Sequence, residues 1–222
     1  MHHPSALIHS TQAQPHEDLL ALLDKYRHST FQKPVAQHTL AAFEQAERLV
    51  HERGLPVILD SGCGVGASTV HLAREFPEHF VLGIDKSAAR LAKHHAYSNP
   101  AVSNYALLRA DVIDFWRLAA KHEWRVARHY LLYPNPWPKP SALKKRFHGH
   151  PVFLDLIKLG ADFELRSNWP IYLREFEAAF FHCTGIRGTL ESFTPETPIT
   201  PFEKKYLRSE HELFRLRIAR GK

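Results

Sequence analysis

From Pro56 onwards the chain alternates between short apolar runs and longer amphipathic segments. The apolar runs predict five strands, each followed by a helix, at Val57–Leu59, Phe80–Ile84, Tyr105–Arg109, His129–Tyr133 and Phe163–Ser167. Two later segments, Ile186–Phe193 and Glu212–Ile218, alternate like an antiparallel pair joined by a loop from Thr194 to Arg208. Five strand–helix units followed by such a pair predict an α/β fold with one doubly wound, mostly parallel, seven-stranded sheet.

The first 55 residues stand apart from this alternation, and we predict that they form a helical extension of an α/β domain of residues 56–222. Two amphipathic segments, Glu17–Tyr26 and Ala36–Arg53, are the predicted helices of the extension. Gly54 is expected to end the second helix, because glycine tolerates a positive φ angle. Residues 1–15 are polar and rich in histidine, serine and glutamine, so we predict that they are disordered.

The charge balance of the 222-residue chain allows a polyanionic partner such as nucleic acid. Lysine and arginine number 29 against 23 acidic residues, and the sequence pI is about 9.4. A mildly basic protein without such a partner has the same composition. No apolar run approaches the ~20 residues of a membrane span, and the start of the chain lacks the pattern of a secretory signal. Two cysteines without zinc-type spacing predict no metal site and a reducing, cytoplasmic location.

A proline-rich stretch, Tyr133-Pro-Asn-Pro-Trp-Pro-Lys139, follows the fourth predicted strand. Each proline lacks an N–H group and fixes its own φ angle, so this stretch continues neither as a strand nor as a helix. We call it the proline lip and expect a rigid segment that presents Asn135, Trp137 and Lys139. It follows a strand at the edge where open α/β sheets bind their ligands, which indicates a functional role. A rigid loop with Trp137 packed as a lid is the alternative.

A glycine-rich turn, Asp60-Ser-Gly-Cys-Gly-Val-Gly66, connects the first predicted strand to its helix. Glycines at this place let a ligand approach the backbone and the N-terminus of the helix. The spacing of Gly62 and Gly64 also fits a dinucleotide-binding turn. Asp60 favours S-adenosylmethionine, because a carboxylate here repels a pyrophosphate and attracts a cationic methionyl group.

Two further acidic residues close the next two predicted strands. Asp85 ends the second strand, where a carboxylate suits a ribose diol in either kind of cofactor. Asp111 follows the third strand and could accept a hydrogen bond from an adenine amino group. The competing interpretation is that Asp60, Asp85 and Asp111 each begin a helix or a turn.

The motifs together resemble a known family. The glycine turn resembles the first motif of class I S-adenosylmethionine-dependent methyltransferases, and the proline lip with its basic continuation resembles the signature of TrmB-type tRNA (guanine-N7)-methyltransferases. Ser167-Asn-Trp169 and Thr200-Pro-Phe-Glu203 stand where that family carries Thr-Asp-Trp and Thr-Lys-Phe-Glu. The resemblance begins near Val57 and implies a Rossmann-like methyltransferase fold, S-adenosylmethionine as cofactor, and RNA, in particular tRNA, as partner of a monomer or weak homodimer.

The resemblance also implies roles for individual residues. The residues that would contact the cofactor are Asp60, Gly62, Gly64, Gly66, Asp85, Asp111 and Asn135. Asn135 would also be the catalytic residue at the reaction centre. The residues that would hold the substrate guanosine are Lys139, Asn168, Thr200, Pro201, Phe202 and Glu203.

Asn135 and Asn168 depart from the family pattern, which has aspartate at both positions. Guanine N7 carries a free lone pair, so its methylation needs no proton removed first. The methylated base gains positive charge, however, and one carboxylate at ~5 Å and an effective dielectric constant of ~20 stabilises it by ~3 kcal/mol at most. That upper limit corresponds to roughly a hundredfold in rate. Two amides therefore predict a slower reaction or a different base.

Several alternatives stay open at the level of the sequence. The chain could be a paralogue with another substrate, or a relic that binds cofactor and RNA or protein without methyl transfer. A nicotinamide dehydrogenase has less support, because no second nucleotide-binding half is evident.

Individual residues also have alternative roles. Asn168 could cap the helix that begins near Pro170. Thr200 to Glu203 also form a capping box. The basic cluster Lys144-Lys-Arg146 is either a solvated face or an RNA contact.

Overall fold

The described residues form one sheet of seven strands. The computed structural model describes residues 5–29 and 31–220. The strands are β1 Val57–Ser61, β2 Phe80–Asp85, β3 Tyr105–Arg109, β4 Arg128–Leu132, β5 Asp162–Ser167, β6 Thr189–Ser192 and β7 Phe214–Ile218. Their order is β3-β2-β1-β4-β5-β7-β6, with β1 to β5 parallel and the β5–β7 and β7–β6 pairs antiparallel. The predicted mostly parallel sheet with a terminal antiparallel pair is confirmed.

Eight α-helices precede or connect the strands within the described residues. They are α1 Leu19–Arg27, α2 Gln37–Arg53, α3 Ala67–Glu75, α4 Ala88–Leu91, α5 Val112–Lys121, α6 Phe153–Lys158, α7 Pro170–Thr184 and α8 Pro201–Arg208. Gly54 follows α2 with a φ of 60°, as expected of a glycine that ends a helix. The predicted loop from Thr194 to Arg208 is wrong in its second half, because the capping box at Thr200 starts α8 there.

The helix that follows β2 is short. Ser87 caps α4 by accepting a hydrogen bond from the backbone N–H of Arg90, but α4 ends after four residues and a short 3₁₀ turn follows. His94 lies in that turn, with Nδ1 3.0 Å from the Val65 carbonyl oxygen and Nε2 2.9 Å from the Tyr105 hydroxyl. These contacts hold the segment against the glycine turn and β3.

Both faces of the sheet are buried, which explains the continuous apolar runs in the sequence. Every residue of β1 and β2 is buried. The larger core packs under α1, α2, α5, α6 and α7, with Trp116 and Phe176 among its fully buried side chains. The smaller core lies on the other face, under α3 and α8, and includes Ile58, Leu72 and Ile199. The two cores leave the carboxyl ends of the strands open for a site.

The N-terminal residues are more ordered than predicted. Ser10 donates a hydrogen bond to the Pro138 carbonyl oxygen at 2.6 Å, and Gln12 donates to Glu175 at 2.6 Å. The predicted disorder of residues 1–15 is therefore wrong for residues 5–15, because their polar side chains find partners on the proline lip and α7; residues 1–4 lie outside the described residues. Leu23 of α1 lies in the larger core. The division of the chain at residue 55 stays a prediction.

Candidate active site

A cavity of about 740 Å³ opens at the carboxyl ends of β1, β2 and β4. The chain crosses from one side of β1 to the other between β3 and β4, so β1 marks the reversal of strand order where α/β sheets bind ligands. Gly62, Asp85 and Asp111 line one part of the cavity, and Asn135 and Trp137 of the proline lip line another. Phe202 of α8 also lines the cavity, so five of the predicted site residues meet there: Gly62, Asp85, Asp111, Asn135 and Phe202. Trp137 of the proline lip lies beside them.

The glycine turn holds its three glycines at positive φ angles of 80°, 62° and 77° for Gly62, Gly64 and Gly66. A Cβ atom at Gly62 or Gly64 would meet no described atom within 4 Å, whereas one at Gly66 would lie 2.7 Å from both His94 Nδ1 and Leu107 Cδ1. Gly66 is therefore required by packing. Gly62 leaves open space beside the backbone at the cavity wall, which is room for a ligand.

Asp85 is 2% exposed and its carboxylate braces the glycine turn. It accepts hydrogen bonds from the backbone N–H groups of Gly64 at 2.9 Å and Ser87 at 2.8 Å. Arg90, which also lines the cavity, forms an ion pair with Asp85 at 3.2 Å. The sequence did not predict this pair, although Arg90 stands only five positions after Asp85.

Asp111 caps α5 by accepting a hydrogen bond from the backbone N–H of Ile113 at 2.9 Å. Its own N–H donates to the hydroxyl of Thr39 on α2 at 3.1 Å, and Thr39 is fully buried. The helical extension therefore supports one wall of the cavity. Both interpretations of Asp111 are compatible with this geometry, since it begins a helix and also faces the cavity.

Asp60 lies beneath the glycine turn and is 1% exposed, outside the residues that line the cavity. Its Oδ2 accepts hydrogen bonds from the hydroxyls of Ser68 and Thr69, both at 2.7 Å. Burial raises the pKa of Asp60 to about 6, although the two hydrogen bonds act to lower this pKa. A positive charge placed near this buried carboxylate would stabilise its ionised form.

Ser61 also lines the cavity, and its hydrogen-bond partners were not predicted from the sequence. Its Oγ lies 2.8 Å from His129 Nε2 and accepts a hydrogen bond from Trp116 Nε1 at 3.0 Å. Burial lowers the pKa of His129 to about 3, so the imidazole is neutral at physiological pH. The partners come from β4 and α5, more than 50 residues away along the chain.

The proline lip is held in an unusual backbone conformation. Tyr133 and Trp137 have φ angles of 54° and 47°, in the left-handed region that side chains other than glycine seldom adopt. The Asn135 Oδ1 accepts a hydrogen bond from the Trp137 N–H at 3.3 Å. Trp137 is 37% exposed, with Lys145 Nζ 4.8 Å from the centre of its ring. The indole therefore lies at the cavity surface and is not packed in the core.

Arg146 was one of three residues predicted to form a solvated or RNA-binding cluster, and for Arg146 this prediction is wrong. The side chain is fully buried and donates hydrogen bonds to the carbonyl oxygens of Trp137, at 3.2 and 3.1 Å, and of Lys139, at 3.2 Å. Its charge is paired with the fully buried Glu175 of α7, which also accepts from His148. Arg146 thus fixes the backbone of the proline lip at Trp137 and Lys139.

The predicted substrate residues are spread over different environments. Phe202 is 48% exposed and lines the cavity. Lys139 is exposed but lies outside the cavity lining. The Asn168 amide is hydrogen-bonded to His211 at 3.0 Å, and Trp169, not Asn168, occupies the cap position of α7. Thr200 caps α8 by accepting from the Glu203 N–H at 3.0 Å.

Glu203 is fully buried and its carboxylate is satisfied within the protein. It accepts hydrogen bonds from the Tyr133 hydroxyl at 2.7 Å, from Arg166 at 2.9 Å and from the backbone N–H of Ile199 at 2.8 Å. The segment from Thr200 to Glu203 therefore anchors α8 to the proline lip through Tyr133. Pro201, the first residue of α8, borders a separate groove beside the cavity.

A family model described as "Putative methyltransferase" matches residues 55–216. The chain belongs to this methyltransferase family. The predicted family resemblance is confirmed, because the methyltransferase is also 29% identical over 184 residues to the tRNA (guanine-N(7)-)-methyltransferase of Escherichia coli strain K12. That match covers 77% of this chain and 74% of the relative, and the protein of the same name from Shigella flexneri matches equally.

Solved structures of methyltransferases share the fold. An antibiotic-related methyltransferase has a TM-score of 0.58 and 15% identity, covering 80% of this chain and 93% of that one. The 16S rRNA methyltransferase KamB has a TM-score of 0.56 and 19% identity, with 84% and 95% covered. These values confirm a Rossmann-like methyltransferase fold for the chain. Among the described residues, no group of three or more histidine, cysteine, aspartate or glutamate side chains could hold a metal ion, and no helix could cross a membrane.

Proposed function

We propose that this methyltransferase transfers a methyl group from S-adenosylmethionine to N7 of a guanine in tRNA. The observation that carries the proposal is the single cavity that contains both the glycine turn with its acidic partners and the proline lip. The tRNA (guanine-N(7)-)-methyltransferases among its relatives support the choice of acceptor. In this proposal the protein acts on tRNA in the cytoplasm.

The cavity fits the proposed cofactor in size and in charge. Its volume of about 740 Å³ lies within the range of roughly 300–1,000 Å³ that is usual for small-molecule sites. In the proposal Gly62 and Gly64 give backbone access, Asp85 and Asp111 accept hydrogen bonds from hydroxyl and amino groups, and Asp60 supplies negative charge from below. When bound, S-adenosylmethionine supplies a methyl group on a positively charged sulfonium.

Positioning is the main task of the protein in this reaction. Guanine N7 attacks with its own lone pair, so the site needs no general base, and correct orientation accounts for most of the acceleration. Trp137 and Phe202 are exposed aromatic side chains at the cavity and provide flat faces on which a base can stack. Lys144 and Lys145 line the same cavity and attract the phosphates of the nucleotide.

Asn135 is suited to select guanine. Its Oδ1 accepts the hydrogen bond from Trp137, which leaves the side-chain NH₂ group free to donate. Guanine presents O6 as an acceptor next to N7, whereas adenine presents an amino group at the same place. We infer that Asn135 donates to O6 and discriminates against adenine, while the loss of the aspartate charge slows the reaction.

The test is the content of N7-methylguanosine in tRNA from a strain that lacks the gene. The proposal predicts that this nucleoside falls and that the wild-type gene restores it. An unchanged content overturns the tRNA assignment. A second assay separates an enzyme from a binding relic: purified protein with methyl-labelled S-adenosylmethionine and bulk RNA should transfer label, and Asp60→Ala should abolish the transfer.

A further inference from the structure

A second concave surface lies beside the cavity, between α3 and α8. It encloses about 600 Å³ and is lined by basic side chains from both helices. His71 and Arg74 belong to α3, and Lys204, Lys205 and Arg208 belong to α8. We call this surface the basic groove. No carboxylate of a described residue lines it, so its potential is positive.

Four of these cations are not neutralised by the described part of the chain. Arg74, Lys204, Lys205 and Arg208 are exposed, and their side chains form neither a hydrogen bond nor an ion pair with any described residue. Only His71 has such a partner, since its Nε2 lies 3.3 Å from a Glu75 carboxylate oxygen. Cations from two separate parts of the chain therefore converge on one groove, which distinguishes it from a solvated face of a single helix.

The basic groove is next to the cavity because α8 forms a wall of both. Phe202 and Tyr206 of α8 line the cavity, whereas Pro201, Lys204 and Arg208 line the groove. The two surfaces are thus separated by roughly the 10–12 Å diameter of one helix. A polymer that places one unit in the cavity can cross α8 and continue in the groove.

The groove also contains an exposed aromatic side chain. Tyr97 is 40% exposed and forms part of the wall. Surfaces that bind single-stranded nucleic acid combine a positive groove for the backbone with aromatic faces on which bases stack. The basic groove has both features.

We propose that the basic groove binds the sugar–phosphate backbone of the RNA strand on one side of the nucleotide that enters the cavity. This inference rests on the proposed function, since it names where the same substrate is held. The contacts are electrostatic and involve phosphates, so they hold RNA of any sequence and fix its position over the cavity.

The test compares two variants that each lose three positive charges. The groove variant carries Lys204→Gln, Lys205→Gln and Arg208→Gln. The control variant carries Lys25→Gln, Arg48→Gln and Lys121→Gln, three exposed residues of α1, α2 and α5 that form no side-chain hydrogen bond or ion pair with described residues. Both are full-length proteins, and S-adenosylmethionine binding by calorimetry verifies that each is folded.

Binding of an unmodified tRNA transcript is measured by filter retention between 50 and 300 mM salt, and methylation kinetics are measured on the same transcript. Each lost phosphate contact lowers affinity by about fivefold to eightfold at 0.1 M salt, from a slope of about 0.7 to 0.9 per contact. We expect the groove variant to bind at least tenfold more weakly, with a shallower salt dependence and a raised KM. The control variant should stay within about threefold of wild type, since its charges are remote.

Equal binding by the groove and control variants overturns the inference, whatever the activity of the wild type. If the wild type transfers no methyl group to tRNA, the proposed function fails instead, and the binding comparison still decides whether the groove holds RNA. Loss of affinity in both variants by the same factor would indicate a general charge effect and would also contradict the inference.

Discussion

Substitution of Glu175 by glutamine should destabilise the protein strongly, although it removes only a charge. The Glu175 carboxylate is fully buried and accepts hydrogen bonds from Gln12 at 2.6 Å, from the His16 N–H at 2.9 Å, from His148 at 2.7 Å and from Arg146. Glutamine keeps the shape but replaces one acceptor by a donor that faces other donors. The buried guanidinium of Arg146 then has no counter-charge.

The cost follows from the buried ion pair and from the pKa of Glu175. Removal of one partner of a buried ion pair costs about 3–5 kcal/mol. Burial acts to raise the pKa of Glu175, but the hydrogen bonds and charges of His148 and Arg146 outweigh it and lower this pKa to about 2 from the ordinary 4.5. A difference of that size corresponds to about 3 kcal/mol of stability at neutral pH.

The assay is urea unfolding at pH 7, with Glu177→Gln on the same helix as control. Glu177 pairs with Arg187 at 3.4 Å, and Arg187 is 66% exposed, so the control should lose less than about 1 kcal/mol. Because the pKa of Glu175 is lowered by folding, its contribution is complete above pH 4.5 and disappears as the pH falls towards 2. A loss for Glu175→Gln no larger than that of the control at pH 7 would refute the role of this network.

Three further substitutions test the site. Asp60→Asn should stabilise the protein by about 3 kcal/mol at pH 8 in urea unfolding, because folding raises the pKa of Asp60 from 3.8 to about 6. Because the pKa is raised by folding, the cost of ionising Asp60 is absent below pH 3.8, grows between pH 3.8 and about 6 and is complete above that, so the gain should vanish at pH 3.5; a gain that persists there contradicts this cause. Gly66→Ala should cost about 2–4 kcal/mol, from its positive φ and the contact with His94 and Leu107, and a cost under 1 kcal/mol in thermal unfolding would count against the packing. Asn135→Asp should raise kcat on tRNA by up to roughly a hundredfold through the restored charge, but it should also raise KM, because a carboxylate cannot donate to guanine O6; no change in either constant would point to another substrate.

The parts of the fold that follow from local patterns were predictable. The mostly parallel sheet with its terminal antiparallel pair follows from the alternation of strands and helices, and the glycine turn and the helix cap at Thr200 are short motifs whose geometry depends on neighbouring residues. The same holds for Asp85 and Asp111, which come to the cavity because parallel strands share one carboxyl edge.

The contacts that support the site were not predictable, because they join distant parts of the chain. Gln12 and Glu175 are 163 positions apart, and Tyr133 and Glu203 are 70 positions apart. No sequence periodicity links residues so far apart. The sequence therefore does not distinguish a buried arginine such as Arg146 from an exposed one. The ordered N-terminal segment was missed for the same reason: its partners lie on the proline lip and α7.

The most direct measurement is the identity of the base that receives the methyl group. Purified protein is incubated with methyl-labelled S-adenosylmethionine and an unmodified tRNA transcript, and the digested RNA is separated into nucleosides. If the cavity joins cofactor and guanine as proposed, label appears in N7-methylguanosine and is lost when Asp85 is replaced by alanine. Label in a different nucleoside, or no transfer at all by the folded wild-type protein, would contradict the proposal.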